Sequence, residues 1–322
     1  MKKTYSLVFA VLTAFLIVGC SAFKSVPATP KKSQDVQVYT TPNKDGKITA
    51  KTIEDTFESV GLSVPGNNDM NKPFKSRFGK VHYKIYNLAM FVNNDLSYKI
   101  LKKYPKFGAL TPLTMSIWED KNQNMSISTL TINAMSRATG VPKSNPDLIA
   151  YARLIKKALT KALPNGHFKD LDYSAKFPHK SFAIDMTAKV ADDVPVEDFI
   201  DDFEAEFEGE LEPLGFLLPN YTNVQEEIFD DHNFHEYDFF HTYSICKFDV
   251  IYPVSKLHPE AGAWAPCSFY LYKKKDEKIM HMGFLGVDNW ITTLNIRDQK
   301  SIKPLKEAEG MIVNILKEMS EE

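Results

Sequence analysis

Pro105-Lys106-Phe107-Gly108-Ala109-Leu110-Thr111-Pro112 and Pro259-Glu260-Ala261-Gly262-Ala263-Trp264-Ala265-Pro266 are two versions of one connection, 154 positions apart. Working back from them, the two halves of the chain align without a gap to Glu54 and Glu208. The paired identities are Glu54/Glu208, Glu58/Glu212, Gly61/Gly215, Pro65/Pro219, Tyr83/Tyr237, Asp95/Asp249, Tyr98/Tyr252, Pro105/Pro259, Gly108/Gly262, Ala109/Ala263 and Pro112/Pro266. Glycine and proline are over-represented in this set, as expected when two segments keep one backbone path. The repeat reads as a duplicated domain, the alternative being accidental similarity between two α+β domains.

Each half reads as the same run of elements. Ile53, Phe57 and Val60 recur at helical spacing and stop at Gly61; Ile200, Phe203, Phe207, Leu211 and Leu214 do the same and stop at Gly215. Aromatic and aliphatic runs, Tyr83 to Val92 and Tyr237 to Cys246, predict strands. Asp95 and Asp249 are placed to cap helices over Leu96 to Tyr104 and Val250 to His258. Beyond the shared connection come strands Leu113 to Glu119 and Cys267 to Lys273, a turn, and another strand. Closing helices follow, Asp147 to Leu163 and Pro304 to Met319. Two tandem, internally duplicated two-layer α/β-sandwich domains of the α+β class are expected, over residues 48–165 and 180–322.

Met90-Phe91-Val92-Asn93-Asn94, Tyr104-Pro105, Gly108 and Leu110-Thr111-Pro112-Leu113, running into Ile117-Trp118-Glu119-Asp120, resemble domain-of-unknown-function family 302. That family has a Phe-Gly-Asn-Pro turn after a strand; Val92 and Asn94 stand here for its Gly and Pro. The second half keeps Pro259, Gly262 and Pro266. The resemblance implies a compact two-layer α+β fold and brings no activity or catalytic residues with it.

The amino terminus carries an address. Lys2 and Lys3 precede an apolar run from Leu7 to Val18, broken only by Thr13. At ~1.5 Å per residue that run is too short for a hydrocarbon core of roughly 30 Å. Ile17-Val18-Gly19-Cys20 resembles a lipobox, so residues 1–19 read as a lipoprotein signal peptide and Cys20 as the acylated first residue, palmitate included. By resemblance to Gram-negative lipoproteins, Ser21 favours the outer membrane, facing the periplasm. Residues 20–47, with Pro27, Pro30, Pro42, Lys24, Lys31 and Lys32, read as a flexible tether.

Of 39 basic and 41 acidic residues, cleavage would remove Lys2 and Lys3 and leave a balance of −4, which is no footprint for nucleic acid. From Asp192 to Asp231 the chain has 15 acidic residues and no Lys or Arg. Alternation with Phe203, Phe207 and Leu211 puts them on the outer face of a helix. That face is either plain solvated surface or a docking site for a basic partner or weakly held Ca²⁺; it lacks the ordered ligands and central glycine of an EF-hand.

Hydrolase elbows, zinc-protease helices, Cys-x-x-Cys pairs and phosphate-binding glycine loops are all missing from the sequence. Cys246 and Cys267 are the cysteines left after Cys20. In an exported chain they suggest a disulfide, with free buried thiols or a metal site as alternatives. His232, His235, His241 and His281, with Met280 and Met282 around the last, invite a metal or haem reading. Tyr83, Tyr98, Tyr237 and Tyr252 are candidates for lining a ligand pocket. A non-catalytic, membrane-anchored envelope protein with a ligand-binding or assembly role is expected, needing no cofactor; a metal- or haem-linked envelope protein is the alternative.

Overall fold

A computed structural model describes residues 34–171, 183–191 and 193–321. Cys20 and the signal peptide, like Asp192, lie outside the described residues. The first unit runs β1 (Val36–Pro42), α1 (Ala50–Glu58), β2 (Ser63–Asp69), α2 (Asn71–Phe78), β3 (Ile85–Val92), α3 (Asn94–Leu101), a 3-10 segment Pro105–Leu110, β4 (Leu113–Glu119), β5 (Asn124–Leu130), α4 (Ile132–Thr139), α5 (Pro146–Ala162) and β6 (His167–Phe168). The second runs β7 (Ala183–Lys189), α6 (Val196–Leu211), β8 (Leu217–Asn223), two short turns of helix at 225–232, β9 (Tyr237–Cys246), α7 (Phe248–Leu257), a 3-10 segment Pro259–Ala263, β10 (Cys267–Lys274), β11 (Ile279–Leu285), α8 (Asp288–Thr293) and α9 (Gln299–Glu321).

Every strand pair is antiparallel, in two separate sheets. The order β2-β3-β4-β5-β1-β6 in the first becomes β8-β9-β10-β11-β7 in the second, so the duplicated segments hold equivalent places. The chain is α+β, built from two such units.

Local sequence accounts for the helix ends. Thr49 and Thr52 form a capping box at the start of α1, and Ile53 and Phe57 bury its inner face. Gly61 and Gly215 sit at φ +96° and +78°, the left-handed stop that the apolar spacing implied. Asp95 and Asp249 are not the expected caps. Asn93 accepts from the Leu96 amide and caps α3, while Lys247 precedes α7. Both aspartates fall in the first helical turn, where a negative charge meets the helix dipole.

One expected boundary moves. Residues 36–42, read as the end of a tether, form β1, which lies between β5 and β6. Val36, Val38, Tyr39 and even Gln37, Thr40 and Thr41 are buried. With both faces covered, this strand has no exposed polar side, so it lacks the alternation that marks a half-buried strand.

Within each unit one sheet face packs on its own helices. Phe57 of α1 meets Phe91 of β3 edge-on at 5.4 Å, and Phe207 of α6 lies 4.8 Å from Phe269 of β10. The opposite sheet faces turn towards each other, and the candidate site lies there.

Candidate functional site: a seam with paired clefts

The two 3-10 segments are exchanged across the seam. Gly108 of the first unit lies on Phe240 and Tyr270 of the second, so close that a Cβ there would come within 2.9 Å of both. Gly262 of the second lies on Ser116 and Leu88 of the first, where a Cβ would come within 2.5 Å of Ser116. Ser116 and Tyr270 occupy the same position in the two units, as do Gly108 and Gly262. The contact is therefore reciprocal, related by an internal pseudo-twofold axis.

Polar contacts hold the same geometry. Ser116 Oγ and Tyr86 Oη donate to the Pro259 carbonyl at 2.6 and 3.3 Å, and Thr114 Oγ1 donates to the Ala263 carbonyl at 3.0 Å. Thr111–Pro112 and Ala265–Pro266 are both cis, so the connections share their backbone path.

Of the four tyrosines named as pocket candidates, Tyr83, Tyr98 and Tyr252 make contacts across this seam. Tyr98 of α3 stacks on His232 of the second unit at 3.9 Å; its equivalent, Tyr252 of α7, stacks on Phe78 of the first at 4.0 Å. His232 and Phe78 are themselves equivalent positions. Tyr83 donates to the Lys256 carbonyl beside Tyr252, and burial pushes its hydroxyl up to about 12. Tyr237 packs in an aromatic cluster with Phe229 and Phe234, which also touch Tyr98. Asp95 faces His232 at 3.3 Å and Asp249 faces Arg77 at 2.6 Å, so the repeated aspartates bridge the units as well.

Two clefts flank the axis. The first, of about 440 Å³, is lined by Leu217, Leu218, Pro219, Cys246, Phe248 and Pro266 of the second unit, facing Met70, Pro73 and Leu88 of the first, with Asn68 and Asp69 at its polar side. The second, of about 270 Å³, is lined by the equivalent residues Ser63, Val64, Pro65, Val92, Asn94 and Pro112 of the first unit, facing Thr222 and Glu227 of the second. The positions match, but the chemistry has diverged. Leu, Phe and Met line one cleft, whereas Ser, Asn, Thr and Glu line much of the other. Strands β2 and β8 supply the walls of both. Neither was anticipated, because Ser63–Asp69 and Leu217–Asn223 contain proline and alternate poorly. The signal that could have found them was the shared Pro65/Pro219 inside a gap-free alignment.

Cys246 lies in the wall of the larger cleft, but the expected bond to Cys267 is not formed and both thiols are free. Cys267 sits directly across from Ile245, one residue out of register with Cys246. Both side chains nonetheless line one apolar cavity, together with Ile245, Leu305 and Ile312. Burial pushes both thiols up to about 12, which leaves them protonated and weakly nucleophilic.

The proposed metal ligands are dispersed. His232 is stacked on Tyr98; His235 contacts Gln225 and Asp230; His241 Nδ1 lies 2.6 Å from Glu204, and His281 Nε2 lies 2.6 Å from Glu277. Met280 and Met282 are fully buried on the face of β11 opposite His281, as strand alternation requires. Among the described residues, the one group with three potential ligand atoms within 4.8 Å is Glu54, Asp55 and Glu58 on α1, where Lys51 pairs with two of them. The acidic helix α6 buries Ile200, Phe203, Phe207 and Leu211, with most of its carboxylates turned outward.

Comparison with known proteins bears on the first unit. Residues 38–163 match the model of a domain of unknown function, DUF302. The first unit is a DUF302 match. A crystal structure titled as an uncharacterized conserved protein DUF302 from Bacillus stearothermophilus aligns at 13% identity with a TM-score of 0.35. It covers 42% of this chain and 96% of that one. No curated protein matches the chain. The DUF302 match begins inside β1 and ends just past α5, so it includes the strand that had been read as tether.

Proposed function

We propose that this chain is a non-catalytic binding protein of the cell envelope, anchored to a membrane through acylated Cys20, that holds a small apolar molecule in the larger seam cleft. The reading rests on one observation. Equivalent positions build two clefts, and only one of them combines apolar walls with a volume of about 440 Å³, within the range of small-molecule sites. Leu217 is 43% exposed there, an apolar side chain left open to an occupant. The neutral, protonated thiol of Cys246 adds to an apolar wall rather than supplying a nucleophile.

Titration with N-phenyl-1-naphthylamine, a dye that fluoresces in apolar surroundings, tests the cleft. Saturable binding that is lost in Leu218→Asp and kept in the twin-cleft variant Val64→Asp supports the reading. Binding that is absent, or equally affected by both variants, contradicts it. The anchor has its own readout: radiolabelled palmitate should enter the wild-type chain in a bacterial host and not Cys20→Ser.

A further inference from the structure

The face that carries the larger cleft is strongly basic. Residues 71–84 contain Lys72, Lys75, Arg77, Lys80 and Lys84 and no acidic residue. The equivalent segment, 225–238, contains Glu226, Glu227, Asp230, Asp231, Glu236 and Asp238 and no Lys or Arg. The duplication has thus kept the backbone and inverted the charge. α2 sits against α7 through Phe74 and Phe78 on Tyr252, and His82 also lies on Tyr252 at 4.5 Å, which brings Lys256 and Leu257 into the same patch.

Three properties distinguish this patch from ordinary solvated surface. All six cations are exposed. Arg77 is paired with Asp249 and Lys84 with the buried Glu119, while among the described residues Lys72, Lys75, Lys80 and Lys256 have no carboxylate partner. Two apolar side chains stand among the charges, Val81 at 43% and Leu257 at 58% exposed, and the patch adjoins the cleft through Pro73 and Phe248.

We infer that this face docks on an anionic lipid surface, with the cations over the headgroups and Val81 and Leu257 entering the interface. Clustered Lys and Arg near an anionic bilayer are attracted within a Debye length, and intercalated apolar side chains add to that attraction. The acidic segment at the equivalent position of the other unit is repelled by the same surface, which selects one orientation. This inference goes beyond the cleft reading, but it supports it: docking turns the mouth of the apolar cleft towards the lipid, where an apolar ligand would be found.

The test uses the chain from residue 21, which keeps both units entire and lacks the acylated cysteine. It is floated with vesicles of phosphatidylcholine alone or with phosphatidylglycerol added. The expected result is recovery with phosphatidylglycerol vesicles only, weakened by salt. Recovery should fall at least about tenfold in the Lys72→Glu/Lys75→Glu/Lys80→Glu variant and be unchanged in Lys156→Glu/Lys157→Glu on α5. Leu257→Asn should weaken recovery without altering its salt dependence. Equal recovery with both vesicle types, no recovery, or indifference to the triple variant overturns the inference. So does salt-sensitive self-association in sedimentation without vesicles, which would assign the patch to the acidic segment of a second copy. Dye binding in solution is read separately in the same variants; its retention when vesicle binding is lost separates docking from cleft occupancy.

Discussion

Met90 Sδ lies 3.2 Å from Ser244 Oγ, and these two residues hold the same position in the two units. A residue that touches its own equivalent marks a twofold axis, so the chain is an intramolecular pseudo-dimer with β3 and β9 crossing at its centre. The stability, the clefts and the charged face all depend on how the two copies meet there.

The glycines at the exchanged connections give the sharpest stability test. Gly262→Ala forces its Cβ into the backbone amide of Ser116, 2.6 Å away, and should cost about 1–3 kcal/mol. Gly108→Ala meets the ring of Phe240 and the Cβ of Tyr270 and should also be destabilising. Gly310→Ala, inside α9 with nothing within 4 Å, should stabilise by about 0.5–1 kcal/mol. Urea unfolding of the three variants orders them.

β1 should be indispensable to the first unit. Asp35, just before it, pairs with Arg137 of α4, whose Nη1 reaches Asn289 Oδ1 of the second unit at 2.9 Å. Burial raises the Asp35 carboxyl above its ordinary range, against the lowering effect of Arg137. Arg137→Met therefore leaves a carboxyl buried without its cation, and chemical denaturation should show a loss of about 3–5 kcal/mol. A chain begun at residue 48 loses β1 altogether and should fail to give a cooperative transition, whereas one begun at residue 34 should unfold cooperatively.

His82 makes stability depend on pH. Burial holds its imidazole below the ordinary 6.5, helped by the Lys256 charge, and its Nε2 has no hydrogen-bond partner. The unfolded chain therefore takes up the proton first as pH falls. Stability should decline from about pH 6.5 downward until the folded-state value is passed. In His82→Phe, which keeps a ring against Tyr252, that part of the decline should vanish from melting curves recorded between pH 7 and 5.

The cysteines should behave as core residues. With both thiols held up to about 12, iodoacetamide at pH 8 should label Cys246 and Cys267 slowly in the native protein and rapidly in urea. Non-reducing peptide mapping should find both alkylated and no linked peptide.

Much of the fold was legible because the duplication repeats its punctuation. Gly61/Gly215 and Pro112/Pro266 gave the helix stops and the strand starts directly. Tyr98/Tyr252 and Asp95/Asp249 were also visible, but their purpose was not. Read within one unit they look like pocket and cap residues, and only the meeting of two units turns them into stacking and ion-pair partners across a seam. β1 was missed because burial on both faces removes its polar alternation, and the clefts were missed because their walls, β2 and β8, are proline-containing edge strands. The placement of the histidines was hidden for a related reason. Proximity in sequence put His281 beside Met280 and Met282, while strand geometry sends them to opposite faces.

The pseudo-dimer itself is open to one direct measurement. A protease site is introduced into residues 172–182, between the two units, the folded chain is cut there, and the product is run on a sizing column. If the exchanged connections and the Met90–Ser244 contact hold the units together, the cut protein elutes at the volume of the intact chain, and Gly262→Val shifts it towards two smaller species. Separation of the cut wild-type protein into independent halves would contradict the account.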